Sequence, residues 1–280
     1  MLHPLQVIAG FALLAACGSP VSDEACNGHV ALCDRPLDQV TLAGTHNSMS
    51  NAEAGWLLPY QQYGLSRQLE DGVRALMLDT YEWEGEAVLC HNDCDLGSQP
   101  LKEGLGEIAS FLAANPNEVV LIIFQDSLSA EATVEVMEEA GLSDTVWTWD
   151  GATVPLPTLR ELLAEDTRLI VSAEFSGPPP NWYHSAWELI FDTPYDYASA
   201  DEFSCALSRG TEDNPLFLVN HWVSQPWPSE EVSAEVNTEE VLGERAASCA
   251  DLWGRPINIL AVDFYAVGDL FAVVDDLNTL

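Results

Sequence analysis

Basic residues are scarce in this chain of 280 residues. Lysine and arginine together number nine against 45 aspartates and glutamates, the formal net charge is −36 at pH 7, and Lys102 is the single lysine. This balance speaks against nucleic acid as a partner, because binding a phosphate backbone takes a basic face. An anionic membrane surface would also repel the chain at long range. We interpret the acidity as an adaptation of the solvated faces to solubility or salt.

The apolar run at residues 7–16 is too short to cross a bilayer, which takes about 20 residues. Its length is typical of a signal-peptide core, so residues 1–16 are predicted to be a lipoprotein signal peptide. Residues 14–17 resemble the bacterial lipobox, in which the cysteine, here Cys17, is lipidated. We therefore expect an exported lipoprotein of the bacterial cell envelope, periplasmic or on the surface, with residues 17–35 as its lipidated tether to the membrane. No lysine or arginine precedes the run, so a buried N-terminal helix is the alternative.

Six cysteines remain once Cys17 is assigned to the lipid. An even number in an exported chain favours disulfides, whose connectivity a sequence leaves open. Nearness along the chain favours Cys26 with Cys33 and Cys90 with Cys94, which leaves Cys205 with Cys249. A zinc site is the alternative for the middle pair, although a matching second pair is missing.

Residues 36–280 have the usual size of one (β/α)8 barrel. Apolar, strand-length runs alternate in them with helical patterns such as 101–114 and 239–253, which predicts a parallel sheet covered by helices. About eight strands are expected, the number that a closed barrel needs. They lie at residues 40–43, 73–80, 88–90, 119–124, 168–173, 188–191, 216–219 and 257–262.

Polar side chains stand where these strands end, at the rim where such barrels build their sites. Three of them are histidines. Imidazole titrates near neutral pH, so the first two, His46 and His91, can serve as general base and general acid on one substrate. A disulfide between the cysteines that flank the second histidine would also fix its backbone. The strand-end residues are His46, Asp79, His91, Gln125, Glu174, His221 and Asp263.

Two neighbouring features complete this rim. The aromatic segment 51–63 is expected to lie over the first strand end as a wall of the substrate site. Strand side chains alternate between faces, so if Asp79 points into the barrel, Arg74 points toward the helices and is structural.

Five segments in order resemble a known family. They are G-T-H-N-S at 44–48, Q-L-E-D-G-V-R-A-L-M-L-D at 68–79, L-C-H at 89–91 with a cysteine following, L-G-E-I-A-S-F-L-A-A-N-P-N-E-V-V at 105–120, and A-V-D-F-Y at 261–265. Together they resemble the catalytic X domain of phosphatidylinositol-specific phospholipase C, in its compact single-domain form.

This resemblance implies a TIM-like (β/α)8 barrel, sometimes distorted, that cleaves a phosphodiester. In the family, the inositol 2-hydroxyl attacks phosphorus, a cyclic inositol phosphate forms and diacylglycerol leaves. A phospholipid or inositol phosphodiester is then the expected substrate, and we expect a monomer.

The two histidines of the family match His46 and His91. By this resemblance His46 takes the hydroxyl proton or supports the phosphoryl oxygen, while His91 protonates the departing glycerol oxygen. Asp263 ends the last strand, which lies beside the first in a closed barrel, so it could orient His46. Trp222 and Tyr265 are expected to contact substrate. The same is expected of His221, with packing at the rim as its alternative.

The transition state also needs positive charge on the phosphoryl oxygens. Eukaryotic members of the family supply calcium, and some bacterial members place an arginine there instead. Asn47 and Asp79 match calcium-type positions, but Met77 and Gln125 stand where two further carboxylates are expected, and no arginine replaces Asp79. Calcium is therefore expected only with an incomplete ligand set, since it takes six to eight oxygen ligands.

Two other functions stay open at this point. One is a glycerophosphodiesterase or a sphingomyelinase-D-like phosphodiesterase, although these usually carry a His-Arg pair and a Glu-x-Asp set that are absent here. The other is a surface lipoprotein that binds a glycan or lipid head group without turnover.

Overall fold

The computed structural model describes residues 25–151, 155–224 and 226–279. The predicted signal peptide, the lipobox and Cys17 lie outside these residues and stay predictions. Across the described stretches, no helix combines the length and the apolar character of a membrane span.

The described residues form one sheet surrounded by helices. The strands are β1 (Leu42–Thr45), β2 (Ala75–Trp83), β3 (Glu86–Cys90), β4 (Ser98–Pro100), β5 (Val120–Asp126), β6 (Leu169–Ala173), β7 (His184–Ser185), β8 (Ile190–Asp192), β9 (Leu216–His221) and β10 (Ile259–Val262). The α-helices are α1 (Leu65–Asp71), α2 (Leu101–Ala114), α3 (Ala130–Glu139), α4 (Leu159–Ala164), α5 (Ala186–Leu189), α6 (Glu230–Val236), α7 (Glu244–Trp253) and α8 (Leu270–Leu277), with a π-helical turn at Glu239–Gly243 leading into α7.

Eight of the strands run parallel in the order β7-β6-β5-β2-β1-β10-β9-β8. This is the strand order of a (β/α)8 barrel, which confirms the predicted fold class. Among the described residues no ladder joins β7 to β8, so the barrel is distorted and carries an open seam between these two short strands.

Residues 88–90 are not a barrel strand, which corrects one prediction. They belong to β3, which pairs antiparallel with β2 and with β4. The reason is the connection: only Glu84 and Gly85 separate β2 from β3, and both have positive φ, 53° and 85°. A two-residue turn of this kind makes a hairpin, whereas a parallel crossover needs a dozen or more residues.

The strand predicted at 188–191 is also partly wrong. The helical turn α5 takes its first half, and β8 starts only at Ile190. The missing eighth parallel strand is instead β7, a pair of residues too short to leave an apolar pattern in the sequence.

Alternation along the strands divides the core into an inner and an outer layer. Inward residues such as Ala75, Met77 and Ile259 pack with one another inside the barrel, whereas residues such as Leu76 and Leu78 pack with the helices. Arg74 follows the outward set: its Nε donates to Glu118 at 2.7 Å, and its guanidinium lies over the ring of Phe111 in α2. The prediction that Arg74 is structural is therefore confirmed.

Gly44 lets the ends of β1 and β10 approach closely. A Cβ at this position would lie 3.1 Å from Cγ2 of Ile259 and 3.3 Å from the backbone of Ala261. Gly44 shares the inward face of β1, so its missing side chain brings the residues that follow β1 and β10 together at the rim.

All three predicted disulfides are present: Cys26–Cys33, Cys90–Cys94 and Cys205–Cys249. The Cys26–Cys33 bridge lies within residues 17–35, which were predicted to be a tether. Leu32 and Cys33 are instead buried in the inner core, so the tether cannot extend to residue 35. Nearby, the Asn27 side chain makes two hydrogen bonds to the backbone of Val119. Residues 26–35 therefore close the bottom of the barrel and are not a free linker.

Candidate active site

His46 and Asp263 form a histidine–carboxylate pair at the C-terminal rim. They follow the inward faces of β1 and β10, and His46 Nδ1 lies 2.8 Å from Asp263 Oδ1. Asp263 is 1% exposed, and its Oδ2 has no hydrogen-bond partner among the described residues. Burial raises the pKa of Asp263, while the nearby imidazoles of His46 and His91 oppose that rise. The carboxylate fixes the Nδ1–H tautomer of His46, which leaves Nε2 as the basic nitrogen.

His91 and Asp79 form a second pair of the same kind. Asp79 ends the inward face of β2, and its Oδ2 lies 2.7 Å from His91 Nδ1. His91 follows the hairpin strand β3, and the Cys90–Cys94 disulfide closes a small ring around it. The β2–β3 hairpin thus brings His91 back to the rim beside the Asp79 carboxylate.

Each histidine is followed by an asparagine that turns back onto it. Asn47 and Asn92 have positive φ, 46° and 56°, a conformation that asparagine tolerates better than most residues. The Asn47 amide nitrogen lies 3.1 Å from His46 Nε2, and that of Asn92 lies 2.8 Å from His91 Nε2. The two His-Asn dipeptides therefore have matching local geometry on opposite sides of the site.

The two imidazoles face one cavity of about 320 Å³. Their ring centroids are 6.5 Å apart, and Tyr60 lies edge-on to both, at 5.2 Å from His46 and 4.8 Å from His91. Trp222 stacks on His46 with a centroid distance of 3.8 Å and an interplanar angle of 5°. Burial raises the pKa of Tyr60, so its hydroxyl stays protonated and can donate a hydrogen bond at neutral pH.

The wall on the other side of the cavity is built around Arg209. Its guanidinium lies between the rings of Trp187 and Tyr195, at 4.0 and 4.1 Å from their centroids. It donates to Asp192 Oδ2 at 2.5 and 2.9 Å and to Glu174 Oε1 at 3.0 Å. Burial raises the pKa of Glu174 to about 7, although Arg209 opposes the shift. The wall therefore offers both donors and acceptors to a ligand.

The family model for the PI-PLC X domain, described as PI-PLC X 1, matches residues 32–278. The chain belongs to the PI-PLC X domain family. Two curated members are similar over most of the chain. A PI-PLC X domain-containing protein 1 of Arthroderma benhamiae is 27% identical over 282 residues, covering 92% of this chain and 90% of that protein. A PI-PLC X domain-containing protein of Arabidopsis thaliana is 29% identical over 272 residues, covering 87% of this chain and 62% of that protein.

An uncharacterized secreted protein of Arthroderma benhamiae is 26% identical over 292 residues, and the match spans 93% of this chain and 65% of that protein. The chain therefore spans slightly less than two thirds of two of these three relatives.

Two solved structures share the fold of this chain. Phosphatidylinositol-specific phospholipase C from Listeria monocytogenes superimposes with a TM-score of 0.59 at 19% identity, covering 88% of this chain and 94% of that one. The enzyme of the same name from Staphylococcus aureus gives a TM-score of 0.60 at 15% identity, covering 89% and 95%.

Two residues predicted to contact substrate in this PI-PLC X domain do not line the cavity. His221 is fully buried, with its Nε2 2.9 Å from the Val236 carbonyl and its Nδ1 3.2 Å from Arg245. Burial and the Arg245 charge lower the pKa of His221 to about 3, so it is neutral. Tyr265 is also buried, and its hydroxyl donates to Asp71 Oδ2 at 2.7 Å. Both residues hold the fold behind the rim, whereas Trp222 lines the cavity.

The residues at the expected calcium positions do not fit that ion. One Asp79 oxygen is engaged by His91, and Asn47 turns its amide nitrogen toward His46. In the orientation that satisfies both its amide oxygen and its amide nitrogen, Gln125 donates a hydrogen bond from that nitrogen to Asp79 at 3.0 Å. Its oxygen is then not directed toward a cation beside Asp79. Asp126 turns away and accepts from the Phe175 and Ser176 backbone. The described residues contain no group of three or more His, Cys, Asp or Glu side chains that could hold a metal.

The sequence interpretation placed Glu174 at the rim but missed Arg209 and its other carboxylate partner, Asp192. Arg209 lies in the irregular segment between β8 and β9, and antiparallel backbone hydrogen bonds to Asp192 bring it back to the rim. Asp192 directly follows the apolar pair 190–191, which was the one signal available in the sequence.

Proposed function

We propose that this protein cleaves an inositol phosphodiester by general acid–base catalysis from His46 and His91. The observation that carries the proposal is the presence of two histidine–aspartate pairs on one cavity, with ring centroids 6.5 Å apart. That spacing leaves room for a phosphoryl group between the two imidazoles. Membership of the PI-PLC X domain family supports the same chemistry.

In the proposed step, neutral His46 accepts the proton of the attacking hydroxyl at Nε2 while the new oxygen–phosphorus bond forms. Its amide contact with Asn47 must give way to that hydroxyl. Asp263 holds the ring and stabilises the imidazolium that results. His91, protonated and paired with Asp79, delivers a proton to the leaving oxygen as the second oxygen–phosphorus bond breaks. The products are a cyclic phosphodiester and an alcohol. His46 ends the step with one proton more and His91 with one proton fewer, so both must exchange a proton with solvent before the next turnover.

The same arrangement provides charge for the transition state without a metal ion. His91 is an imidazolium before the reaction and His46 becomes one during it, so positive charge lies beside the phosphoryl group throughout. The ring of Tyr60 packs edge-on against both imidazoles and holds them in place. Because the donors near Asp79 do not fit calcium, we propose that the reaction proceeds without it.

We propose that the Arg209 wall binds the head group. The charge of Arg209 is already balanced by Asp192 and Glu174, so this wall has little surplus positive charge to attract a phosphate. It offers instead the guanidinium donors of Arg209 beside the carboxyl group of Glu174, a combination that suits the vicinal hydroxyls of an inositol ring. This favours a polyhydroxylated head group, in agreement with the phospholipid or inositol phosphodiester expected from the family.

We further propose that the protein is exported. Three disulfides support this, because they persist in oxidising compartments, and a relative is named as secreted. Attachment to a bacterial membrane through Cys17, and a monomeric state, are predictions that a lipid analysis and a sedimentation measurement of the full chain would test.

Substitution of each histidine by alanine tests the mechanism. We expect His46→Ala and His91→Ala each to lower kcat on phosphatidylinositol by about 10²- to 10⁴-fold, measured by phosphorus NMR of the cyclic product. His29→Ala is the matched control, since His29 also lies near an aspartate, 3.5 Å from Asp275, but outside the cavity. Retained activity in both cavity variants would rule out the mechanism.

A further inference from the structure

Asn92 places a carboxamide at the point where a substrate oxygen must approach His91. Its amide nitrogen lies 2.8 Å from His91 Nε2, the atom from which the proposed reaction delivers a proton. Asn92 is exposed and lines the cavity. Asn47, its counterpart beside His46, is 1% exposed and is not one of the described residues that line the cavity. Of the two asparagines, Asn92 is therefore the one that a ligand in the cavity meets.

The backbone sets the direction of this carboxamide. The Asp93 N–H donates to the His91 carbonyl at 2.7 Å, which closes a three-residue γ-turn centred on Asn92. Asn92 has a positive φ of 56°, and a γ-turn of this sense is rare and strained. The disulfide between Cys90 and Cys94 spans the turn. Such conformations persist where the surrounding structure over-determines them, often at active sites. The position of the Asn92 Cβ is therefore fixed before a substrate binds.

The Asn92 amide cannot keep its contact with His91 in the reactive state. As the general acid, His91 carries a hydrogen on Nε2, and a protonated imidazole nitrogen does not accept a hydrogen bond. The leaving oxygen must also occupy the position beside Nε2 that the amide nitrogen fills. Both requirements turn the NH₂ group of Asn92 away from the imidazole, while its Cβ stays beside the bound phosphoryl group. The acceptors within reach are then the other oxygens of that phosphoryl group.

The phosphoryl group needs a donor at this place. In the proposed mechanism the two histidines serve the attacking and the leaving oxygens, so the charge on the two non-bridging oxygens requires further donors. Arg209 is already paired with two carboxylates, and the Gln125 amide donates to Asp79. The NH₂ group of Asn92, by contrast, becomes available when His91 is protonated.

We propose that Asn92 is a catalytic residue whose amide N–H binds a non-bridging phosphoryl oxygen and stabilises the charge on it in the transition state. This inference rests on the proposed function and deepens it, because it names a donor that the chain itself supplies to the phosphoryl group. The strained turn holds that donor beside the general acid, so one short segment serves both the leaving oxygen and a non-bridging oxygen.

Two substitutions remove the donor and keep the turn. Asn92→Gly deletes the carboxamide and retains a residue that adopts positive φ readily. Asn92→Asp keeps the shape of the side chain but has no N–H to donate. On a soluble inositol phosphodiester, we expect kcat to fall about 10- to 100-fold in Asn92→Gly with KM changed little. The fall should be larger in Asn92→Asp, because its carboxylate repels the phosphoryl oxygens.

Glu84→Gly is the matched control. Glu84 is also exposed with a positive φ, 53°, and belongs to the same hairpin, but it does not line the cavity. Its replacement by glycine changes the chain in the same way without removing a donor from the site. We expect kcat of Glu84→Gly to equal that of the wild type.

Phosphorothioate substrates show whether the contact is with a phosphoryl oxygen. In the Rp and Sp diastereomers, sulfur replaces one or the other non-bridging oxygen, and sulfur is a weak hydrogen-bond acceptor. The wild type should cleave the diastereomer whose sulfur faces Asn92 more slowly than the other. We expect this preference to shrink about tenfold in Asn92→Gly and to persist in Glu84→Gly.

The outcomes separate this inference from the proposed function. A wild-type kcat in Asn92→Gly would overturn the inference and leave the histidine mechanism standing. An equal loss on both diastereomers would also overturn it, because it would show that Asn92 acts only by positioning His91. Failure of the wild type to cleave the phosphodiester would overturn the proposed function, and the inference with it.

Discussion

We expect Asp263→Asn, which replaces one buried carboxylate oxygen by an NH₂ group, to lower catalytic activity strongly while changing the stability of the fold little. The wild-type carboxylate accepts from His46 Nδ1 at 2.8 Å through one oxygen, and its other oxygen is buried with no partner among the residues that the structure describes. Asparagine keeps the shape of the side chain. It can however present its NH₂ group to the imidazole, which favours the tautomer that carries hydrogen on Nε2 and removes the base.

The expected loss of activity follows from the role of the carboxylate. In the histidine–aspartate pairs of hydrolases, replacing the orienting aspartate by asparagine costs about 10⁴-fold in kcat, so we expect a fall of about 10³- to 10⁴-fold with KM changed little. Stability should behave differently. The variant removes a buried charge. With its NH₂ group facing His46, its amide oxygen takes the buried position that has no partner among the described residues, at a cost of about 1–3 kcal/mol. These effects oppose each other, so Tm should move by only a few degrees.

The pH dependence of stability provides a second readout with a definite sign. Burial raises the pKa of Asp263 above its usual 3.8, so the folded state holds this proton at pH values where the unfolded state has lost it. The contribution of this group to the free energy of unfolding is therefore present at low pH and is lost as pH rises through the window above 3.8. Asparagine does not titrate. The Tm of the variant relative to wild type should consequently increase as pH rises from about 4 toward neutrality.

Kinetics on a soluble inositol phosphodiester and thermal unfolding at several pH values would check both parts. Asp275→Asn is the matched control, because Asp275 also pairs with a histidine but lies outside the cavity. A kcat within tenfold of wild type in Asp263→Asn would refute the orienting role. A Tm difference that falls as pH rises would contradict the raised pKa.

Two further predictions concern the polar groups of the cavity. Burial raises the pKa of Glu174 from 4.5 to about 7, so its contribution to the free energy of unfolding is lost as pH rises from about 4.5 to 7. Glu174→Gln should therefore flatten the dependence of Tm on pH in that window. An unchanged profile would show that another group titrates there. A chelator should leave the activity of the full chain unchanged, because Asp79 is hydrogen-bonded to both His91 and the Gln125 amide. Inactivation by the chelator, with recovery in calcium, would show instead that Asp79 and Gln125 rearrange around the ion.

The sequence predicts the catalytic rim better than the rest of the site. His46, Asp79 and Asp263 each continue the inward face of an apolar strand, so alternation and the strand ends are enough to bring them to one rim. The same rule would have excluded His221. It shares the outward face of β9 with Val219, which packs in the helix-side core, and so it meets Val236 and Arg245.

Arg209 could not be predicted in this way, because no periodic pattern precedes it. Its position depends on backbone hydrogen bonds to Asp192 and on two aromatic rings that come from separate segments. The hairpin strand β3 was mistaken for a barrel strand because its apolar pattern is the same in either arrangement. The short Glu84-Gly85 connection was the signal that would have decided between them.

Because of the open seam between β7 and β8, the Arg209 side of the cavity can tolerate more sequence change than the side that holds the two histidines. Both histidines stand near β1 and β2, which have hydrogen-bonded neighbours on either side. The segment bearing Arg209 follows β8, where the ladder stops, and the Cys205–Cys249 bridge fastens it to α7. Insertions or exchanges there would leave the strand register under the two imidazoles untouched. Sequence changes confined to this disulfide-anchored segment could therefore alter the proposed head-group specificity without disturbing the histidines proposed to cleave the phosphodiester.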